Sequence, residues 1–169
     1  PAAPAPAGLS LPAAINKAGR QRMLSQRTAK AWLMLVQGVL PEKAKSILAQ
    51  SLHLFDQQLA ELKALPAGDE VRSAWLQVEQ EWGRYRPLLA DIRSDAKAVW
   101  AGNEALLGAT QKLTLAYEKA AGTSAGRLVN LAGRQRMLSQ RMAKAYFFRQ
   151  MGVNAGPAGD PQVAALKLP

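Results

Sequence analysis

The sequence predicts an all-α protein: an up-down antiparallel bundle of four helices, with a fifth helix carrying the second copy of a repeated motif. Three observations predict it. Apolar residues recur at the 3.6-residue helical period through most of the chain, and no stretch alternates convincingly between apolar and polar residues as a half-buried strand would. Glycine, proline and capping residues interrupt that period in short clusters, leaving segments of helical length joined by short loops. The string Ala-Gly-Arg-Gln-Arg-Met-Leu-Ser-Gln-Arg occurs twice, at 18–27 and 132–141, both times inside a helical segment. At 169 residues the chain suits one domain able to bury a sizeable core.

Each element follows from local chemistry. Residues 1–12, rich in Pro and Ala, read as a disordered leader. The first helix is expected over about 13–37, with Gly38 as its left-handed cap and Pro41 in the first turn of the next helix. A second helix (about 42–65) carries Ala44, Ile47, Leu48, Leu52, Phe55, Leu59 and Leu62 on one stripe and stops at Pro66-Ala67-Gly68. Asp69 is placed to cap a third (70–93), whose stripe is Val71, Trp75, Val78, Trp82, Tyr85, Leu89 and Ile92, with a kink at Pro87. Ser94 is a candidate cap for a fourth (95–121) using Val99, Leu106, Leu113 and Tyr117; a break at Gly102-Asn103 is the alternative. Gly122-Thr123-Ser124 supplies a stop and a cap, so a fifth helix runs over about 125–151, with a tail after it. With a break near Thr123, the fifth helix runs parallel to the first.

Charge points to an anionic partner. The net charge is +10 with a pI near 10.3, and nine basic residues fall in the two repeats and their edges. Nucleic acid is disfavoured, because the repeated arginine lies in an apolar seam and not on an exposed basic face. With no cysteine, disulfides, thiolate metal sites and cysteine nucleophiles are excluded. No apolar run is long enough to span a membrane. The single histidine, His53, falls off the apolar stripe of its helix, and no catalytic constellation, cofactor fingerprint or metal-ligand spacing occurs, so no enzyme is expected. The Pro/Ala-rich start resembles that of a secreted protein after signal cleavage.

The repeat carries the functional argument. Including flanks, 14 of 17 positions agree between Ile15–Ala31 and Val129–Ala145, polar residues as faithfully as apolar ones. Core packing alone tolerates hydrophobic exchange and does not hold Arg, Gln and Ser constant. On a heptad, Ile15, Arg22, Ala29 and Val36 take successive a positions and Ala18, Ser25 and Trp32 the d positions, with Gln26 at the stripe's edge; Val129, Arg136, Ala143 and Ala132, Ser139, Tyr146 repeat the scheme. Each copy thus sets one arginine in a seam of apolar and small residues, a costly position unless the guanidinium is paired. Arginine's planar fork of donors matches a planar oxyanion. Small neighbours (Ala18, Gly19, Ser25) would let two helices approach until facing arginines share one anion. The competing resolution is ion pairing of Arg22 and Arg136 with Glu61, Glu79, Glu81 or Asp91.

The run Asn16-Lys17-Ala18-Gly19-Arg20-Gln21-Arg22-Met23-Leu24-Ser25-Gln26-Arg27 resembles the signature of the PilJ-type, NarX-like extracytoplasmic sensing domain of type IV pilus chemotaxis transducers and nitrate/nitrite sensor kinases. The resemblance covers about residues 13–150. It implies a periplasmic antiparallel four-helix bundle, dimeric through its first helix, with an anion on the subunit two-fold held by a glycine and an arginine of the box. Carried to this chain, those residues are Gly19 and Arg22, and Gly133 and Arg136 in the second box; Ser25 and Gln26 join them as candidate ligand-binding residues. The expected ligand is a small oxyanion such as nitrate or nitrite, bound between first helices of a homodimer or between the first and fifth helices of one chain. The chain departs from the sensor kinases in that no second membrane span or signalling module comes after the bundle. It is therefore expected to be either part of a longer receptor or a free-standing periplasmic protein. A structural or dimerisation module that binds nothing small is the alternative.

Overall fold

The structure, a computed structural model, describes residues 10–122 and 124–153; the leader over residues 1–9, Thr123 and the tail from residue 154 lie outside the described residues. Five α-helices succeed one another among the described residues: α1 (Leu11–Val36), α2 (Pro41–Lys63), α3 (Asp69–Tyr85), α4 (Ala96–Ala121) and α5 (Ser124–Gln150). There is no strand among the described residues.

The helix ends show where local chemistry decided the boundaries. α1 starts earlier than the expected leader allows, because Ser10 caps it, its Oγ accepting from the Ala13 N–H at 3.4 Å, with proline in the first turn. Gly38 takes φ 67, and the N–H groups of Gly38 and Val39 close onto the carbonyls of Leu35 and Met34 at 3.1 and 2.8 Å, which is the predicted left-handed stop. Gly68, not Asp69, is the cap of α3; Asp69 and Glu70 sit in its first turn, where carboxylates complement the helix dipole. The third helix ends at Tyr85 and not near residue 93. Pro87 has no N–H to donate to the preceding turn, and the chain tightens into a 3-10 segment over Arg86–Ala90. Ile92, assigned to that helix's apolar stripe, therefore falls beyond it and is 59% exposed. Asp95 caps α4 through Oδ2, which accepts from the Ala98 N–H at 3.2 Å, whereas Ser94 donates to the Leu88 carbonyl at 2.6 Å. α4 runs unbroken through Gly102-Asn103.

α1 to α4 form the expected antiparallel ring, and α5 packs on α1 from outside, also touching α4. The wide α2–α3 interface is filled by aromatic side chains. Phe55 stacks on Trp82 with ring centroids 4.0 Å apart, the Trp82 indole donates to Asp56 at 2.7 Å, and the Trp75 indole donates to the Leu59 carbonyl at 3.0 Å. α1 is the axial element, covered by α2, α4 and α5 at once. Ile15, Ala18, Arg22, Ser25, Ala29 and Trp32 of its predicted stripe are all buried, with Val36 half-buried. His53 is exposed, as its place off the α2 stripe requires.

Because Phe55 is fully buried and its ring is shared between helices, Phe55→Ala should cost about 3–5 kcal/mol of stability. The change Leu76→Ala, at a side chain 53% exposed on α3, should stay within about 0.5 kcal/mol. Urea denaturation of the two variants beside the parent checks both.

Candidate functional site

α1 and α5 lie parallel with the two boxes in register. Gly19 meets Gly133, Gln26 meets Arg141, and Gln37 reaches the Phe147 carbonyl at 2.9 Å, so contacts ascend both helices together. The approach is closest at the glycines. A Cβ added at Gly133 would stand 3.6 Å from the Gly19 Cα and only 3.1 Å from Nη2 of Arg22; one added at Gly19 would stand 3.3 Å from that same nitrogen. The guanidinium of Arg22 thus occupies the space that the two missing side chains leave. Nη2 of Arg136 lies 3.9 Å from the position of the Gly133 Cβ and donates to Oδ1 of Asn16 at 3.3 Å.

The electrostatics of this crossing are cationic. Arg22 is buried, and desolvation, reinforced by the nearby Arg134 and Arg136 and opposed by Glu118, brings its guanidinium down to about 10. It remains charged at neutral pH. The carboxylates considered as its partners are engaged elsewhere. Glu61 pairs with Lys17, Glu79 lies 3.9 Å from Lys63, Glu81 3.6 Å from Arg84, and Asp91 3.1 Å from Arg93. Glu118 on α4 is the acidic side chain whose field Arg22 feels.

The structure therefore brings together Gly19, Arg22, Gly133 and Arg136, and sets Ser25 and Gln26 apart from them in a different role. Ser25 Oγ donates to the Arg22 carbonyl at 2.7 Å. Gln26 Nε2 donates to Ser25 Oγ and to Asn103 Oδ1, both at 3.0 Å, and Asn103 Nδ2 donates to the Ser25 carbonyl at 2.7 Å and to the Tyr85 hydroxyl at 3.0 Å. This buried polar network ties α1 to α4 and to the end of α3. It continues into α5. Arg141 holds Glu104 with two bonds of 2.6 and 3.0 Å, and Lys144 donates to Glu104 at 2.7 Å and to Asn103 at 2.9 Å while lying 4.5 Å above the Trp100 ring. Sequence reasoning missed Asn103 and Glu104, the α4 members of this network. The available signal was the polar pair Asn103-Glu104 on an otherwise apolar stretch of α4, a pattern that a helix break at Gly102-Asn103 would equally produce.

The expectation that box two reproduces the burial of box one is corrected. Arg22 and Ser25 are buried, whereas Arg136 and Ser139 are exposed; Arg141 and Lys144 are buried, whereas Arg27 and Lys30 are only half-buried. The reason is position in the bundle. α1 is covered on three sides, while α5 presents one side to α1 and α4, and its outer stripe of Leu131, Met142 and Tyr146 is exposed at 57%, 43% and 60%.

Replacing a helical glycine by alanine gains about 1 kcal/mol from helix propensity alone. Gly133→Ala should show that gain in an Arg22→Ala background and lose it in the parent, where the new methyl meets Arg22 Nη2; a double-mutant cycle by chemical denaturation measures the coupling. Burial disfavours ionisation of Glu104, but the Arg141 hydrogen bonds and the Lys144 charge outweigh it and hold the carboxyl below its usual range. Its contribution is therefore complete above the ordinary carboxylate pKa and is lost as pH falls through the lowered one. Glu104→Gln should lower the melting temperature at pH 7 and lessen its decline between pH 5 and pH 3, which a pH series of thermal melts reads directly.

Comparison with known proteins bears on the same region. The family described as type IV pili methyl-accepting chemotaxis transducer N-term, PilJ, matches residues 9–107, which takes in the first box and ends within α4, short of the second. Methyl-accepting chemotaxis protein McpN of Pseudomonas aeruginosa is 35% identical over 96 residues, 52% of this chain and 18% of that protein. The chain thus spans less than a fifth of that relative's length. No solved structure matches. No described helix is long and apolar enough to cross a membrane. An all-α bundle built on this box, matched to the family over more than half its length, belongs to the PilJ family of N-terminal domains of methyl-accepting chemotaxis transducers.

Proposed function

We propose that the chain is a periplasmic sensing domain that holds a small planar oxyanion, of the nitrate or nitrite class, between its own two boxes. The observation that carries this reading is the Gly19–Gly133 crossing, where the absence of two side chains admits the Arg22 guanidinium and brings Arg134 and Arg136 near it. Like charges so arranged repel, and an anion among them converts repulsion into a clasp. Arg22 and Arg136 supply the planar donors. Gly19 and Gly133 set the spacing, and Ser25 fixes the backbone of Arg22 by its bond to that residue's carbonyl. Gln26 anchors the same turn to α4. α5 packs along α1 with Gly133 against Gly19 within one chain, which favours an intrachain site.

A structural role without small ligand is the second reading. It is favoured by Glu104, whose single carboxylate pairs with both Arg141 and Lys144 of box two, so that these two cations serve the contact between α4 and α5. Calorimetric titration separates the two. Nitrate or nitrite should give saturable heat that chloride does not, and Arg22→Lys, which keeps the charge and loses the bidentate fork, should weaken binding at least tenfold, about 1.4 kcal/mol or more. Absence of heat from both oxyanions at high protein concentration, with Arg22→Ala altering stability alone, would establish the structural reading.

A further inference from the structure

A second candidate site lies away from the boxes, where the loop between α2 and α3 closes over α4. A cavity of about 350 Å³ opens there, at the small end of the range that holds organic ligands. Its walls are apolar, formed by Leu62, Leu65, Val71 and the ring of Trp75, whose orientation is fixed by the indole bond to the Leu59 carbonyl. Tyr117 of α4 also lines it. That side chain is 2% exposed, and its hydroxyl is buried with no hydrogen-bond partner among the described residues. A phenolic hydroxyl can both donate and accept, and a buried one left unmatched is uncommon in a settled core.

Two cations line the same cavity. Lys63 lies 4.8 Å over the Trp75 ring and 3.9 Å from Glu79; Arg72 lies 3.8 Å from Asp69 and donates to the Ala67 carbonyl at 3.4 Å. Both side chains are about two-thirds exposed, and their carboxylate contacts are long, so their charge is only loosely engaged. An apolar chamber with an aromatic wall, one buried hydroxyl and two cations calls for a ligand with an aromatic body and one anionic group.

We infer that this cavity is a binding site for small aromatic carboxylates, with the ring against Trp75, the carboxylate drawn to Lys63 and Arg72, and a polar atom of the ligand meeting the Tyr117 hydroxyl. The site is independent of the anion clasp between the boxes.

The test is calorimetry on the full chain with phenylacetate and indole-3-acetate, using phenylacetamide as the uncharged counterpart. Saturable binding of at least one acid is expected, with the amide at least tenfold weaker. The double variant Lys63→Gln/Arg72→Gln should weaken the acids at least tenfold. Tyr117→Phe should weaken them several-fold while raising the melting temperature of the unliganded protein, since it deletes a hydroxyl that the fold leaves unmatched. Arg22→Lys should leave the acids unaffected, which separates this site from the oxyanion reading. No saturable binding of either acid, or equal binding of acid and amide, overturns the proposal. So does binding that survives both the double variant and Tyr117→Phe.

Discussion

The bundle is organised around the contact of two backbones at Gly19 and Gly133. Elsewhere its helices are separated by ordinary side chains, and between α2 and α3 by stacked aromatic rings. At this crossing no side chain stands between the two glycines, and the Arg22 guanidinium lies beside both. Everything distinctive about the molecule depends on that proximity: the parallel seating of α5 in register with α1, the burial of Arg22, and the gathering of three arginines at one level. A single methyl on either glycine would have to displace the charged group that gives the crossing its character.

The buried polar network complements this close contact. Glu104 sits between Arg141 and Lys144, and Asn103 joins them to Gln26, Ser25 and Tyr85. Such a cluster adds little net stability compared with well-packed apolar residues, but it is satisfied in one alignment of helices and frustrated in the others. It offers a physical reason for α5 to seat in one register against α4, where Leu107 and Leu138 alone would accept neighbouring ones.

Much of this architecture was legible in the sequence, because it depends on local rules. Periodicity, Gly38, Pro41 and Gly122 marked the helices, and the heptad placement of Arg22 found a buried arginine on a small-residue face. The remainder depended on tertiary context. Pro87 advertised an interruption, but the choice between a kinked helix and a 3-10 segment rested on how Leu89 and the turn at Asp91 pack against the bundle. The two identical decapeptides carry the same local preferences and still meet different surroundings. No property of Arg136 or Arg141 taken alone reveals that the first is exposed and the second buried. Ser25 and Gln26 looked like ligand contacts because they share a string with Arg22; the Ser25 hydroxyl instead bonds the Arg22 carbonyl within its own turn, and Gln26 reaches Asn103 on α4, 77 residues away in the chain.

The fifth helix also changes the mechanics of the module. Four antiparallel helices return the chain to the pole where it began, whereas α5, parallel to α1, carries it to the opposite one. From the crossing at Gly133 to the end of α5 is about 25 Å of helix, so each degree of tilt at the glycines moves that end by about 0.4 Å. Glu104 grips the same helix at Arg141 and Lys144, about 12–16 Å along from the fulcrum. α5 is thus held at two points along its length, by the close crossing at Gly133 and by the Glu104 pairings, so that a tilt about the first would strain the second.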